Sequence, residues 1–124
     1  MKKKGEHMTD ESILKIAVKA IDSKLGENIK VIKIDELTII ANYFIIANGN
    51  SNTQVKAIAD EVEFKLSEAG LEPHRTEGYQ GASWIVLDYV DVVIHVFHKE
   101  TRDFYDLERL WQDGTEIPAS DFLK

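Results

Sequence analysis

Tyr43-Phe44-Ile45-Ile46-Ala47 is a run of apolar residues with no polar interruption. A strand with one wet face alternates polar and apolar side chains, so an unbroken run predicts a strand covered on both faces. The chain then breaks at Asn48-Gly49-Asn50, and Ser51 opens a helix. Ser51 and Gln54 stand three apart, the capping-box spacing in which two side chains satisfy free N–H groups at a helix start. Val55, Ile58, Ala59, Val62, Leu66 and Ala69 give this helix one apolar stripe, and Gly70 closes it.

The remaining elements arrange themselves around that strand and helix. From Thr9 to Leu25, Ile13, Ala17, Ala20 and Ile21 recur at helical spacing, with Thr9 or Asp10 as cap and Gly26 at the end. Ile29 to Ile34 alternates as a short strand with one partly wet face. His74 to Thr76 reads as a short edge strand after Pro73. Trp84–Tyr89 and Asp91–His98 are β-rich runs separated by Val90, the pattern of a tight antiparallel hairpin. A last helix is predicted from about Thr101 to Gln112, stopped by Gly114, and Thr115–Lys124 carries no clear signal. A helix between the second and third strands permits a crossover. The reading is one α/β domain, a mixed β-sheet packed by helices. Its expected limits are 9–113, with 1–8 as an added leader or disordered N-terminus and 114–124 as a C-terminal tail.

Composition narrows the function. The 124 residues carry a net charge of −7, and there is no cysteine. Without Met1–His7, 12 basic residues stand against 21 acidic ones, a net charge of −9. Direct nucleic-acid binding rests on surplus Lys and Arg, which this chain lacks. An acidic chain is better matched to a basic protein partner. Absent cysteines exclude disulfides and thiolate chemistry. No apolar run approaches the ~20 residues that span a bilayer, so a soluble intracellular protein with no membrane partner is expected.

Catalytic patterns are weak. His95 and His98 are three apart on a predicted strand, which sends them to opposite faces and away from a shared metal ion. Ser51, before a helix, could greet a phosphate, but the Gln54 partner reads more simply as a cap. Asp88 and Asp91 invite comparison with the metal carboxylates of nucleotidyltransferases. Such a clamp needs same-face placement, and a turn is predicted between these two. No cofactor, catalytic residue or metal ligand is assigned. The stronger signal is a set of large anchors, Trp84, Tyr89, Phe97, Phe104, Tyr105 and Trp111. Phe97 and Phe104 read as core. Tyr105 and one tryptophan fit either core or an exposed binding surface.

Three blocks carry a resemblance. They are Ala41-Asn42-Tyr43-Phe44-Ile45-Ile46-Ala47-x-Gly49-x-Ser51-x-x-Gln54-Val55; Glu77-Gly78 with Trp84 to Phe97; and Glu100-x-Arg102-x-Phe104-Tyr105-x-Leu107-Glu108-x-Leu110-Trp111. In order and spacing they resemble the ribosomal silencing factor (Iojap, RsfS) family across roughly Ser12 to Asp113. The resemblance implies a nucleotidyltransferase-like fold without transferase activity. It implies binding to the large ribosomal subunit through ribosomal protein number fourteen, which blocks joining of the small subunit and represses translation, notably in starvation. It also implies a cytoplasmic protein, often a homodimer when free; a separate expectation is that dimerisation and ribosome binding compete for one patch. The family's recognition surface lies in the C-terminal half, which puts forward Trp84, Asp88, Tyr89, His95, His98, Arg102, Tyr105 and Trp111 as interface residues. Asp88 would pair with a basic group. Arg102 would make a directed ion pair or brace the last helix from within. One departure is Asn42, where the family usually has Asp.

Overall fold

In a computed structural model, residues 8–124 are described; the expected leader therefore lies, except for Met8, outside the described residues. The elements are α1 (Asp10–Ser23), β1 (Glu27–Lys33), β2 (Tyr43–Gly49), α2 (Asn52–Glu68), β3 (Arg75–Glu77), β4 (Trp84–Asp88), β5 (Val92–His98), α3 (Lys99–Tyr105), α4 (Leu107–Leu110) and β6 (Thr115–Ile117), then a 3-10 turn at Ala119–Phe122. The strands form one six-stranded sheet in the order β3-β4-β5-β2-β1-β6. Only β2 and β5 run parallel, joined by the crossover through α2; every other pairing is antiparallel.

The long helices begin where the sequence says. Thr9 Oγ1 accepts the Ser12 N–H at 3.1 Å, and Ser51 Oγ accepts that of Gln54 at 3.1 Å. The Gln54 amide reaches one residue further back than a standard capping box, accepting the Asn50 N–H at 2.7 Å and donating to the Lys24 and Leu25 carbonyls. The end of α1 differs in detail. The left-handed residue is Leu25, at φ 62°, while the Gly26 N–H donates to the Ile21 carbonyl at 2.9 Å. Glycine is needed there for space, since a Cβ would stand 2.3 Å from Ile21 Cγ2.

Both faces of β2 are covered, and the two covers differ. Ile13, Leu14, Ala17 and Val18 of α1 and Val55, Ile58 and Val62 of α2 pack on Val31, Ile45, Ile85, Leu87, Ile94 and Val96. Across the sheet a second cluster joins Ile32, Ile34, Phe44, Ile46 and Phe97 to Leu107 of α4, with Trp84, Val93 and Trp111 half-buried beside it. Residues 115–122, silent in the sequence, are part of this body. β6 pairs with β1, Gly114 leaves no room for a Cβ against Ile32 and Lys33, and Phe122 is buried against the α1 side.

Candidate protein-binding face

The predicted single helix over Thr101–Gln112 is two helices. α3 starts at Lys99, where His98 Nδ1 accepts the Glu100 N–H at 3.2 Å. It ends at Asp106, whose φ of 47° and ψ of 53° are left-handed. The reason lies in what must face the sheet. Arg102 and Leu107 are both buried, yet five residues on a straight helix place two side chains about 140° apart. The break lets both turn inward. It also turns Phe104 out: expected in the core, it is 81% exposed.

Arg102 holds this pair of helices down. Its Nη1 donates to Asn48 Oδ1 at 2.8 Å and to the Glu27 carbonyl at 3.4 Å, and its Nε donates to Glu108 Oε2 at 3.1 Å. The guanidinium therefore ties α3 and α4 to β1 and β2. Asn48 donates in turn to Glu27 Oε1. Of the two roles open to Arg102 in the sequence, the internal brace is the one its surroundings match.

At the centre of this face is His95. Its ring stands edge-on to Phe44 at 4.7 Å, and Trp84 Nε1 donates to His95 Nδ1 at 3.2 Å. Burial lowers its pKa from 6.5 to about 4, because a charged ring there would lose its hydration. The neutral ring then carries its proton on Nε2, a buried donor with no partner among the described residues.

Around His95 the face opens to solvent. Trp84 stacks on Phe97 at 4.8 Å and meets Tyr105 at 5.0 Å, while Trp111 packs edge-on to Phe44 at 5.2 Å. Tyr105 is 53% exposed and Leu110 75%; with Phe104 they continue the half-buried Trp84, Val86, Val93 and Trp111 into one apolar surface. Phe104 and Leu110 were not among the sequence candidates for contact. At helical spacing Phe104, Leu107 and Trp111 make one stripe and Leu110 points off it, whereas nothing local announces a left-handed Asp106.

The other candidates scatter. Asp88 shares the β4 face of Trp84, but its Oδ2 pairs with Arg75 at 3.8 Å and its Oδ1 accepts the Val90 N–H at 2.8 Å. Tyr89 is buried on the opposite face, in the cluster under α1 and α2; burial and nearby Glu63 and Glu72 raise its pKa. The strand alternation that carries Trp84, Val86 and Asp88 to one face sends Tyr89 to the other. His98 is half-buried and spent as the α3 cap. Asn42 donates from Nδ2 to Asp10 Oδ2 at 3.0 Å, holding α1 to the start of β2. Among the described residues no group of three or more His, Asp or Glu is placed to hold a metal ion, and no helix is long and apolar enough to cross a membrane.

Comparison with known proteins agrees with the architecture. Residues 7–124 match the family model described as "Ribosomal silencing factor during starvation". The chain is 44% identical over 107 residues to the ribosomal silencing factor RsfS of Bacillus subtilis, covering 86% of this chain and 91% of that one. It is 42% identical over 110 residues to that of Halalkalibacterium halodurans, covering 89% and 94%. A crystal structure of a Chromobacterium violaceum protein superposes with a TM-score of 0.83 at 39% identity, over 85% of this chain and 88% of that one. A match over nearly the whole length, in sequence and in fold, places the chain in the ribosomal silencing factor family, whose members are regulators of translation associated with the ribosome.

Proposed function

We propose that this protein is a cytoplasmic, non-catalytic silencing factor that binds the large ribosomal subunit through ribosomal protein number fourteen. Bound there, it blocks docking of the small subunit by occupying its place, and so represses translation in starvation. The observation that supports this reading is the open aromatic face: Phe104, Tyr105 and Leu110 of α3 and α4 are exposed beside the half-buried Trp84 of β4 and Trp111 at the end of α4. Partly exposed aromatics over a packed base are the composition of binding hot spots. In this reading Trp84, Tyr105 and Trp111 touch the partner, with the buried His95 beneath them holding Trp84 in place and Asp88, at the far end of β4 on the same face, as the acid for a basic group. Arg102 and His98 position the helices, and Tyr89 supports the fold. The free protein covers the same face by pairing with a second copy, so dimer and ribosome compete.

The test is co-sedimentation with separated subunits, followed by addition of the opposite subunit. Binding to large subunits alone, with fewer joined ribosomes, is the expected result. A folded Tyr105→Ala, Trp111→Ala double variant that binds as the wild type does would overturn the choice of face. A wild-type protein that binds neither subunit would overturn the function.

A further inference from the structure

The sheet has a second apolar outcrop, at the end away from Trp84. The loop between β1 and β2 carries Ile39, 102% exposed, and Ile40, 62% exposed. It is tied to the β4–β5 turn by the N–H groups of Asn42 and Tyr43, which both donate to the Asp91 carbonyl at 2.8 and 3.0 Å. With consecutive Cα atoms 3.8 Å apart, Ile40 and Val90 are therefore within about 17 Å of each other, at the same end of the sheet. That end is some 16 Å along β5 from the Trp84–Phe97 pair, taking about 3.3 Å per strand residue.

The turn itself is unusual. The Asp91 N–H donates to the Tyr89 carbonyl at 2.9 Å, closing a three-residue γ-turn around Val90. Val90 has a φ of 73° and is 56% exposed. A β-branched side chain at positive φ is strained where Gly or Asn would be tolerated, and strain of this kind gathers at binding sites. This valine costs stability and buries little of itself in the fold. The backbone of the turn is already satisfied, since the Val90 N–H donates to Asp88 Oδ1, so what the turn offers outward is the isopropyl group. Exposed Asp91 follows Val90 in the turn, exposed Glu36 stands three residues before Ile39 in its loop, and Asp10 lies against the base through Asn42; a basic group at this end, Arg75, is paired with Asp88.

We infer that this tip, with Ile39, Ile40 and Val90 at its centre, is a second docking surface for a basic protein of the large subunit, separate from the partner of the aromatic face. The inference rests on the ribosome-binding reading and adds a contact to it. An apolar centre flanked by carboxylates complements a basic surface with an apolar socket. It disfavours a phosphate backbone, and a second copy of this acidic chain would bring like charges together.

Two variants test it, Val90→Gly and the double Ile39→Ser, Ile40→Ser. Each is measured for melting temperature, binding to whole large subunits and binding to isolated ribosomal protein number fourteen. Val90→Gly melts roughly 2–5 °C higher, because strain is released, yet binds large subunits several-fold more weakly. The isoleucine variant keeps its melting temperature and loses about tenfold in subunit affinity, or 1.4 kcal/mol. Both keep wild-type binding to isolated protein fourteen. Unchanged subunit binding by both variants would overturn the inference and leave the aromatic-face function standing. Equal loss toward isolated protein fourteen would make the tip part of the first interface and overturn it as a second one. A shift from dimer to monomer with unchanged subunit binding would assign the tip to self-association, and competition by protein-free ribosomal RNA would assign it to nucleic acid; either overturns it.

Discussion

Ile94 and Val93 are neighbours on β5, yet Ile94 is sealed beneath α1 and α2 while Val93 lies half-buried on the side of α3 and α4. The face under the long helices is packed mainly by aliphatic side chains, and α1 and α2 have 14 and 17 residues with which to cover it. Burial there is non-directional, and area alone sets its worth. The other face is covered by helices of seven and four residues, too short to be stable alone in water. Directed contacts, the Arg102 guanidinium and the His98 cap, join the buried Leu107 in holding them. A region held this way opens locally at less cost than the core, which suits a surface that meets a partner.

The comparison breaks most visibly at those two neighbours. Ile94→Ala is expected to cost about 3–4 kcal/mol, in the middle of the roughly 2–5 kcal/mol range for a buried isoleucine cut to alanine. Its folded fraction should still bind large subunits as the wild type does. Val93→Ser is expected to cost about 1 kcal/mol or less and to weaken binding instead. Urea unfolding alongside co-sedimentation reads both. Equal stability losses would mean that the two faces do not divide stability from recognition.

Next in size is Arg102→Ala. It leaves Glu108 and Asn48 without their buried partner and should cost about 3 kcal/mol. Amide exchange should quicken in α3 and α4 while α1 and α2 keep their protection. Arg102→Lys does not restore the brace, because one ammonium cannot reach Asn48, the Glu27 carbonyl and Glu108 in the same fork.

The same division explains what could be read from the sequence. α1, α2 and the strand pattern follow from periodicity and caps, because Thr9, Ser51 and the apolar stripe at Val55, Ile58 and Val62 act locally or through burial. The mixed α/β architecture follows from their order. The site was less legible. Trp84, Tyr105 and Trp111 do gather on one face, but Tyr89 falls on the other by strand parity, and Arg102 and His98 act inward. Phe104 was misplaced because the helix break is set by Asn48 and Glu27, 54 and 75 residues away from Arg102. The β6 strand was missed because three residues beside Gly114 gain their order only from pairing with β1.

His95 sharpens the comparison through pH. Its folded pKa of about 4 lies below the usual 6.5, so between those values the unfolded chain binds the extra proton and stability rises with pH. The contribution is intact above pH 6.5 and is lost as pH falls toward 4. From pH 7 to pH 4.5 the loss is about 2–3 kcal/mol at 1.36 kcal/mol per unit. His95→Phe should be less stable at pH 7, having lost the acceptor for Trp84 Nε1, but its decline with acid should be smaller by that amount. Parallel pH curves for the two proteins would mean that His95 is not held neutral by burial.

The smallest effect on stability should carry one of the larger effects on binding. Phe104 is 81% exposed and touches Tyr105 at 5.0 Å. Phe104→Ser removes little packing, so the unfolding free energy should stay within about 0.5 kcal/mol of wild type. If α3 exists to present this ring beside Tyr105, large-subunit affinity should fall about tenfold, or 1.4 kcal/mol. The two readouts separate because the ring is costly to leave in water and is packed against little inside the protein. An affinity equal to wild type would confine the contact to Trp84, Tyr105 and Trp111, and would leave Phe104 exposed only as a consequence of the turn at Asp106.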